Sequence, residues 1–370
     1  MAEATLIFAG SDRSPDLFAA VGAVVIDPFL FVDFGDKRAA LIGSLDWDGL
    51  RAVDPAIELR DPRTFGTREM IEGGMTREQA ELEAIRLYLT ELGVTRARVG
   101  WDFPLENADH LRAAGIEVVV DREHMEGRRR VKTPAQLAGI RRAQRAADAA
   151  MGVAERLIHA CEPGLTVEAV RAVMQAACPE FGATLADETI VAVNAQAATG
   201  HDIGSGPIRP GDCVIVDQTP RDVASRCFTD MTRTFIAGGA APGDELAEYW
   251  ALSKEALDRV VAAVRPGVDG RELYAISADI FERAGKPTAR TAPKGVALVE
   301  GYFHALGHGV GLDIHEAPSM GLEGQPLVAG DVIAVEPGCY RQGFGGVRLE
   351  DLLLVTEDGC EVLTQFPYEL

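Results

Sequence analysis

GDCVIVD, residues 211–217, and GDVIAVE, residues 330–336, are two versions of one pattern, and reading them decides the fold. Each starts on Gly-Asp, runs through four apolar residues and ends on a carboxylate, Asp217 or Glu336. A short apolar run rich in β-branched residues behind a turn reads as a buried strand. Each is followed by a second acid-bearing run: FTDMTRTF with Asp230, thirteen residues after Asp217, and VRLEDLLLV with Glu350, fourteen after Glu336. These runs read as two strand pairs, the first joined by QTPRDVASRC and the second by PGCYRQGFGG. A carboxylate on each strand of a pair can then face the same side of its sheet.

The surrounding helices repeat as well. EPGLTVEAVRAVMQAA and RPGVDGRELYAISADIF both set a Pro-Gly turn before an amphipathic helix, with Thr166 placed as an N-cap in the first. Two similar halves therefore deliver two acids each. If the halves pack face to face, four acids meet on an apolar surface, where ionised carboxylates repel and are poorly solvated. Either protons or cations must neutralise them, and two divalent metal ions balance four negative charges. HALGHGVGLDIHE, residues 304–316, carries three of the seven histidines and places His308 just before the second pair. A histidine ligand shifts the choice from magnesium or calcium toward manganese, cobalt, iron or zinc. The glycines around His308 are expected to admit close approach of backbone to substrate.

With 370 residues, the chain is long enough for two domains, and a boundary falls near residue 132. Before it, runs such as ATLIFAG, AVVIDPFLFVDFG, AALIG, ARVGWDF and IEVVVD alternate with helical stretches such as TREQAELEAIRLYLTELG, the pattern of a small α/β domain. After it, Thr133-Pro134 opens a long Ala- and Arg-rich helix that stops before Pro163-Gly164. A composition 47% apolar and 25% charged belongs to ordinary globular proteins. The net charge of −21 excludes a nucleic-acid backbone as partner, and Arg128-Arg129-Arg130 with Lys132 reads as the solvated lead-in to the long helix.

Six cysteines without a CxxC suit a reducing cytoplasm. The first residues lack a basic leader, and VGAVVIDPFLFV is broken by Asp27 and Pro28, so neither a signal peptide nor a membrane span is expected. GHGVG and GSGPIRPG lack the strand-then-helix setting of a phosphate loop. GFGG, residues 343–346, reads as a tight turn, and Cys339 as a small apolar filler.

A lone aspartate at a strand end is most often a turn former, and a lone histidine a satisfied core or surface residue. The joint order of five changes that reading. Asp217, Asp230, His308, Glu336 and Glu350, in the settings VDQTP, FTDMTRT, GHGVGL, VEPG and RLED, resemble the ligand set of the pita-bread metallopeptidases. These include Xaa-Pro dipeptidase (prolidase), aminopeptidase P and methionine aminopeptidase, and the leading domain is similar to that of the proline-specific branch. The resemblance implies an α/β (α+β) fold: a C-terminal pita-bread (creatinase/aminopeptidase) domain over 133–370, made of two pseudo-symmetric halves, after a smaller creatinase-type N-terminal α/β domain over 1–132.

The resemblance further implies a cytoplasmic, homodimeric enzyme with two divalent metal ions that cleaves the N-terminal Xaa-Pro bond of short peptides, without a nucleic-acid or membrane partner. Manganese is the first expectation, with cobalt, zinc or iron as alternatives. Asp217 would hold one ion through both oxygens, Asp230 and Glu350 would bridge, and His308 and Glu336 would complete the other shell. A metal-bridging hydroxide would attack, with Glu336 as general base. His201 in TGHDIG and His315 in LDIHE would contact substrate and stabilise the tetrahedral intermediate, and His304, Arg348 and Tyr340 would line the proline-specific site. The family commonly writes its first ligand as Asp-x-Gly with a shorter gap to the second. Here Asp217-Gln218-Thr219 opens a longer loop, which reshapes the pocket without removing a ligand. Two alternatives stay open: an aminopeptidase of the same fold with other N-terminal specificity, and a metal-free relative acting as a non-peptidase enzyme or binding module.

Overall fold

Side chains that alternate across the run TLIFA supply both faces of a sheet: Leu6 and Ile7 are each buried, on opposite sides. This run is the second half of β1 (Ala2–Ala9), in a mixed six-stranded sheet with β2 (Phe29–Asp33), β3 (Arg38–Leu41), β4 (Glu58–Arg60), β5 (Val94–Val99) and β6 (Glu117–Val120), in the order β4-β3-β2-β1-β5-β6. The computed structural model describes residues 2–370, and this sheet belongs to a unit that ends at Arg129. Leu6, Leu30 and Val32 pack with Ala84, Ile85 and Leu89 on one face, and Ile7, Phe29 and Phe31 with Leu17 on the other. The stretch AVVIDPFLFVDFG yields a strand only from Phe29, because Pro28 has no N–H to give to a ladder.

The second unit runs Arg130–Leu370. Thr133 and Gln136 form a capping box, and Pro134 occupies the first turn of a 27-residue helix, α1 (Pro134–Ala160), which packs on α2 (Val167–Ala177). Both cover an antiparallel sheet of β7 (Ile190–Val193), β8 (Cys213–Gln218) and β9 (Met231–Ile236), in the order β9-β8-β7. The second half follows the same plan. Helices α3 (Asp244–Ala263) and α4 (Gly270–Arg283), the latter capped by Asp269, share a core with a five-stranded sheet. That sheet contains β10 (Gly307–Gly309), β11 (Glu316–Met320), β12 (Val332–Val335), β15 (Asp351–Val355) and β16 (Cys360–Val362), in the order β11-β10-β12-β15-β16. The expected pairings therefore form: Asp217 lies opposite Thr232, and Val335 opposite Asp351.

Two readings change in detail. PGCYRQGFGG is more than a connection, since Gly338–Arg341 (β13) and Gly345–Arg348 (β14) make a hairpin of their own, turning at Gln342 to Phe344. The basic run is solvated only at Arg128: Arg130 donates twice to Asp331, which is fully buried, and Lys132 Nζ lies 2.6 Å from Glu316 with both side chains 2% exposed. No helix of the described residues is long and apolar enough to cross a membrane.

The halves are fastened through the motif TRT. Thr234 Oγ1 donates to Arg348 O and accepts from its N–H, and Glu350 N–H donates to Thr232 O. Arg233, fully buried, donates to the carbonyls of Glu350, Phe366 and Pro367 and to the Asp351 carboxylate. A buried guanidinium is tolerated only when its donors are met, and these partners meet them.

Candidate metal centre

All ten residues singled out in the sequence, His201, Asp217, Asp230, His304, His308, His315, Glu336, Tyr340, Arg348 and Glu350, lie on the wall of one cavity of about 820 Å³. Asp217 comes from the end of β8 and Asp230 from the residue before β9. His308 is the central residue of β10, Glu336 follows β12, and Glu350 precedes β15. Gly307 lies on the cavity wall, and both glycines flanking His308 also serve the sheet. A Cβ on Gly307 would lie 1.9 Å from Ala334 O, and one on Gly309 2.1 Å from Ala317 O, so only glycine lets β10 sit between its neighbours.

Asp230, His308 and Glu350 each offer a donor atom within 4.8 Å of the others. His308 Nε2 is 3.8 Å from Asp230 Oδ2 and 3.6 Å from Glu336 Oε1. These separations are long for hydrogen bonds. They match two donors sharing one cation, which at about 2.0–2.2 Å from each would hold them roughly 3–4 Å apart. The tautomer fits as well. His308 Nδ1 is 3.1 Å from Gly309 O, and a carbonyl only accepts, so Nδ1 carries the proton and the Nε2 lone pair faces the acids.

Electrostatics point the same way. Burial raises the carboxyls of Asp230 and Glu350 well above the ordinary range, and repulsion from the neighbouring acids adds to it. Burial also lifts Glu336 to about 8, against the pull of Arg348 and with the push of Asp217. Burial, together with repulsion from His315, lowers His308 to about 4, so its ring is neutral. Three acids held against their charge beside a neutral imidazole are the donor set a divalent cation stabilises.

Asp217 stands apart from that trio, with Oδ2 accepting from Arg348 at 2.6 Å. Arg348 also donates to Tyr340 Oη at 3.0 Å and to Thr232 Oγ1 at 3.3 Å, and Thr232 in turn donates to Glu350 Oε2 at 2.7 Å. His304 Nδ1 donates to Ala305 O, so its Nε2 accepts from the Tyr340 hydroxyl at 3.0 Å. Tyr340 is thus spoken for on both sides, and burial raises its phenol to about 12. His315 packs its ring 4.3 Å from that of His308, and His201 is exposed on the cavity wall.

Thr232 and the pair Lys132–Glu316 were missed from the sequence. Thr232 is visible in hindsight as the residue two after Asp230, whereas nothing near Lys132 in the chain announces a partner 184 residues away.

The description of metallopeptidase family M24 matches residues 138–357. Xaa-Pro dipeptidase of Pyrococcus furiosus is 34% identical over 185 residues, which are 50% of this chain and 49% of that enzyme, so the chain spans about half the length of that curated relative. The uncharacterized peptidase YqhT of Bacillus subtilis is 30% identical over 258 residues, 69% of this chain and 67% of the relative. In fold, the prolidase from Pyrococcus horikoshii OT3 superposes with a TM-score of 0.80 at 24% identity, covering 100% of this chain and 95% of the other. With its catalytic-half architecture, its converging acids and histidine, and a family match over more than half its length, the chain belongs to metallopeptidase family M24.

Proposed function

We propose that the chain is a dinuclear metal-dependent exopeptidase that hydrolyses the N-terminal Xaa-Pro bond of short peptides. The observation that carries this reading is the convergence of Asp230, His308 and Glu350 within 4.8 Å on a cavity wall that also holds His201, His304 and Arg348. Asp217, Asp230, His308, Glu336 and Glu350 would hold two divalent ions, manganese first, with cobalt, zinc or iron able to replace it. Bound there, such ions lower the pKa of water and stabilise developing negative charge on the scissile carbonyl.

The chain's own residues do the rest. Glu336 takes the proton of the attacking water and hands it to the departing proline nitrogen. His315 and His201 donate to the carbonyl oxygen as it gains negative charge and its carbon becomes tetrahedral. Arg348 and His304, oriented by the Tyr340 hydroxyl between them, hold the far end of the peptide. Residues 133–370 are the catalytic domain, and the protein works as a cytoplasmic homodimer.

The pairing of Asp217 with Arg348 favours a second reading in one respect: Asp230, His308 and Glu350 would hold one ion, and Asp217 would be available to a second only when free of Arg348. The test of the main reading is a comparison of Ala-Pro, Ala-Pro-Ala and Ala-Ala with manganese-loaded protein, following release of the first alanine. Cleavage of either proline peptide in preference to Ala-Ala supports it, the dipeptide marking a prolidase and the tripeptide an aminopeptidase P. Equal or better cleavage of Ala-Ala overturns the proline specificity.

A further inference from the structure

We infer that Glu188 gives this enzyme a preference for peptides beginning with lysine or arginine; the inference rests on the exopeptidase reading above. Glu188 is exposed and lines the same cavity as the metal centre. The nearby acids are engaged: Asp187 accepts from Gln175 Nε2 at 2.8 Å, Asp202 from Gly204 N–H at 2.9 Å and Glu168 from Gly206 N–H at 3.0 Å. Among the described residues, no hydrogen bond or ion pair involves Glu188. The other carboxylates on the wall are the four proposed ligands, whose charge the ions neutralise, and Arg348 is tied to Asp217 and Tyr340. Glu188 is left as an uncommitted negative charge facing the cavity.

Its surroundings suit a long basic side chain. Two residues along, Ile190 sits directly opposite Asp217 in the β7–β8 ladder, and Ile190, Ala186 and Thr219 all line the cavity. With Asp217 among the proposed ligands and Ile190 paired with it, an N-terminal residue bound at that end of the centre would run its side chain over Ile190 toward Glu188. Lysine and arginine bury their methylene stems on such apolar surface and keep the charged head in water, here against a carboxylate. A pair this exposed changes selectivity rather than abolishing turnover.

The test uses full-length, metal-loaded protein and three dipeptides, Lys-Pro, Leu-Pro and Glu-Pro. Wild type is expected to favour Lys-Pro over Leu-Pro by about fivefold in kcat/KM, mostly through KM, with Glu-Pro last and the spread shrinking at high salt. Glu188→Gln should bring the Lys-Pro to Leu-Pro ratio near one, and Glu188→Lys should reverse the order in favour of Glu-Pro. Glu357→Gln, which removes an exposed carboxylate outside the cavity, controls for the net charge of −21 and should keep the wild-type ratio. Equilibrium binding of the same dipeptides to Glu336→Gln protein gives the order without turnover. A ratio unmoved by Glu188→Gln overturns the inference, and so does an equal rise in KM for all three peptides, which would put Glu188 on the α-ammonium instead. Failure of wild type to cleave any of the three while cleaving Ala-Ala overturns the proline-directed reading first, and the inference with it.

Discussion

Replacing Glu336 with glutamine separates the stability of the site from its chemistry. In the metal-free chain the Glu336 carboxyl is pushed up to about 8, chiefly by burial, whereas in the unfolded chain it titrates near the ordinary glutamate value of 4.5. For an acid whose folded pKa is raised, the contribution to stability is fully present below the unfolded pKa and is lost as pH rises through the folded one. Between these values the unfolded chain has shed a proton that the folded chain still holds, so stability falls with pH. At about 1.4 kcal/mol per pH unit, the interval from 4.5 to about 8 costs the metal-free protein roughly 4 kcal/mol by pH 8. Glutamine has nearly the same shape and nothing to ionise. Metal-free Glu336→Gln should therefore melt close to wild type at pH 5 and above it at pH 8, by about 2–4 kcal/mol or roughly 5–15 °C for a unit of this size.

The same change should lower metal-supported hydrolysis by about 10²–10⁴-fold, since it removes the proposed general base. The assay is thermal unfolding of exhaustively stripped protein at the two pH values, with proline release measured in parallel on metal-loaded samples. If the melting temperatures of wild type and variant keep a constant gap from pH 5 to 8, or if the variant retains activity, the reasoning about Glu336 is wrong.

Three further outcomes follow from the geometry. Lys132→Met leaves Glu316 buried without its ammonium and should destabilise the protein by about 3–5 kcal/mol in urea unfolding; an unchanged midpoint would mean that the pair is dispensable. Thr232→Val removes the hydroxyl that donates to Glu350 and should weaken manganese binding about 10–100-fold by calorimetry, and unaltered affinity would refute an orienting role for Thr232. Because Asp230, Glu350 and Glu336 are raised in the metal-free chain, loading the site near neutral pH should release protons, visible as a buffer-dependent binding enthalpy, and affinity should climb from pH 6 to 8; a buffer-independent enthalpy would falsify the protonated state of the cluster.

What could be read in the chain was whatever has a local signature. The Gly-Asp strands, their terminal acids and the capped helices each announce themselves within a dozen residues, and the order of Asp217, Asp230, His308, Glu336 and Glu350 adds the long-range information that periodicity lacks. Interactions whose two ends are far apart stayed hidden. Lys132 looks like a solvated cation until Glu316 closes on it, and Arg348 shows nothing of its bond to Asp217, 131 residues earlier. The β13–β14 hairpin was masked for a different reason: its Gly- and Pro-rich composition mimics a loop, and it is a strand pair because Gly345 and Gly346 can lie against Arg341 and Tyr340. The second role of the GHGVG glycines, within the sheet, stays hidden in the chain because a backbone clash with Ala334 or Ala317 cannot be seen before the sheet is assembled.

Whether the acids and His308 hold metal for peptide hydrolysis is decided by titrating metal-stripped protein with manganese while following proline release from Ala-Pro. The expected result is no release without metal, a rise with added manganese and saturation near two equivalents per chain, with Asp230→Ala inactive throughout. Full activity of stripped protein in the presence of a chelator would contradict it.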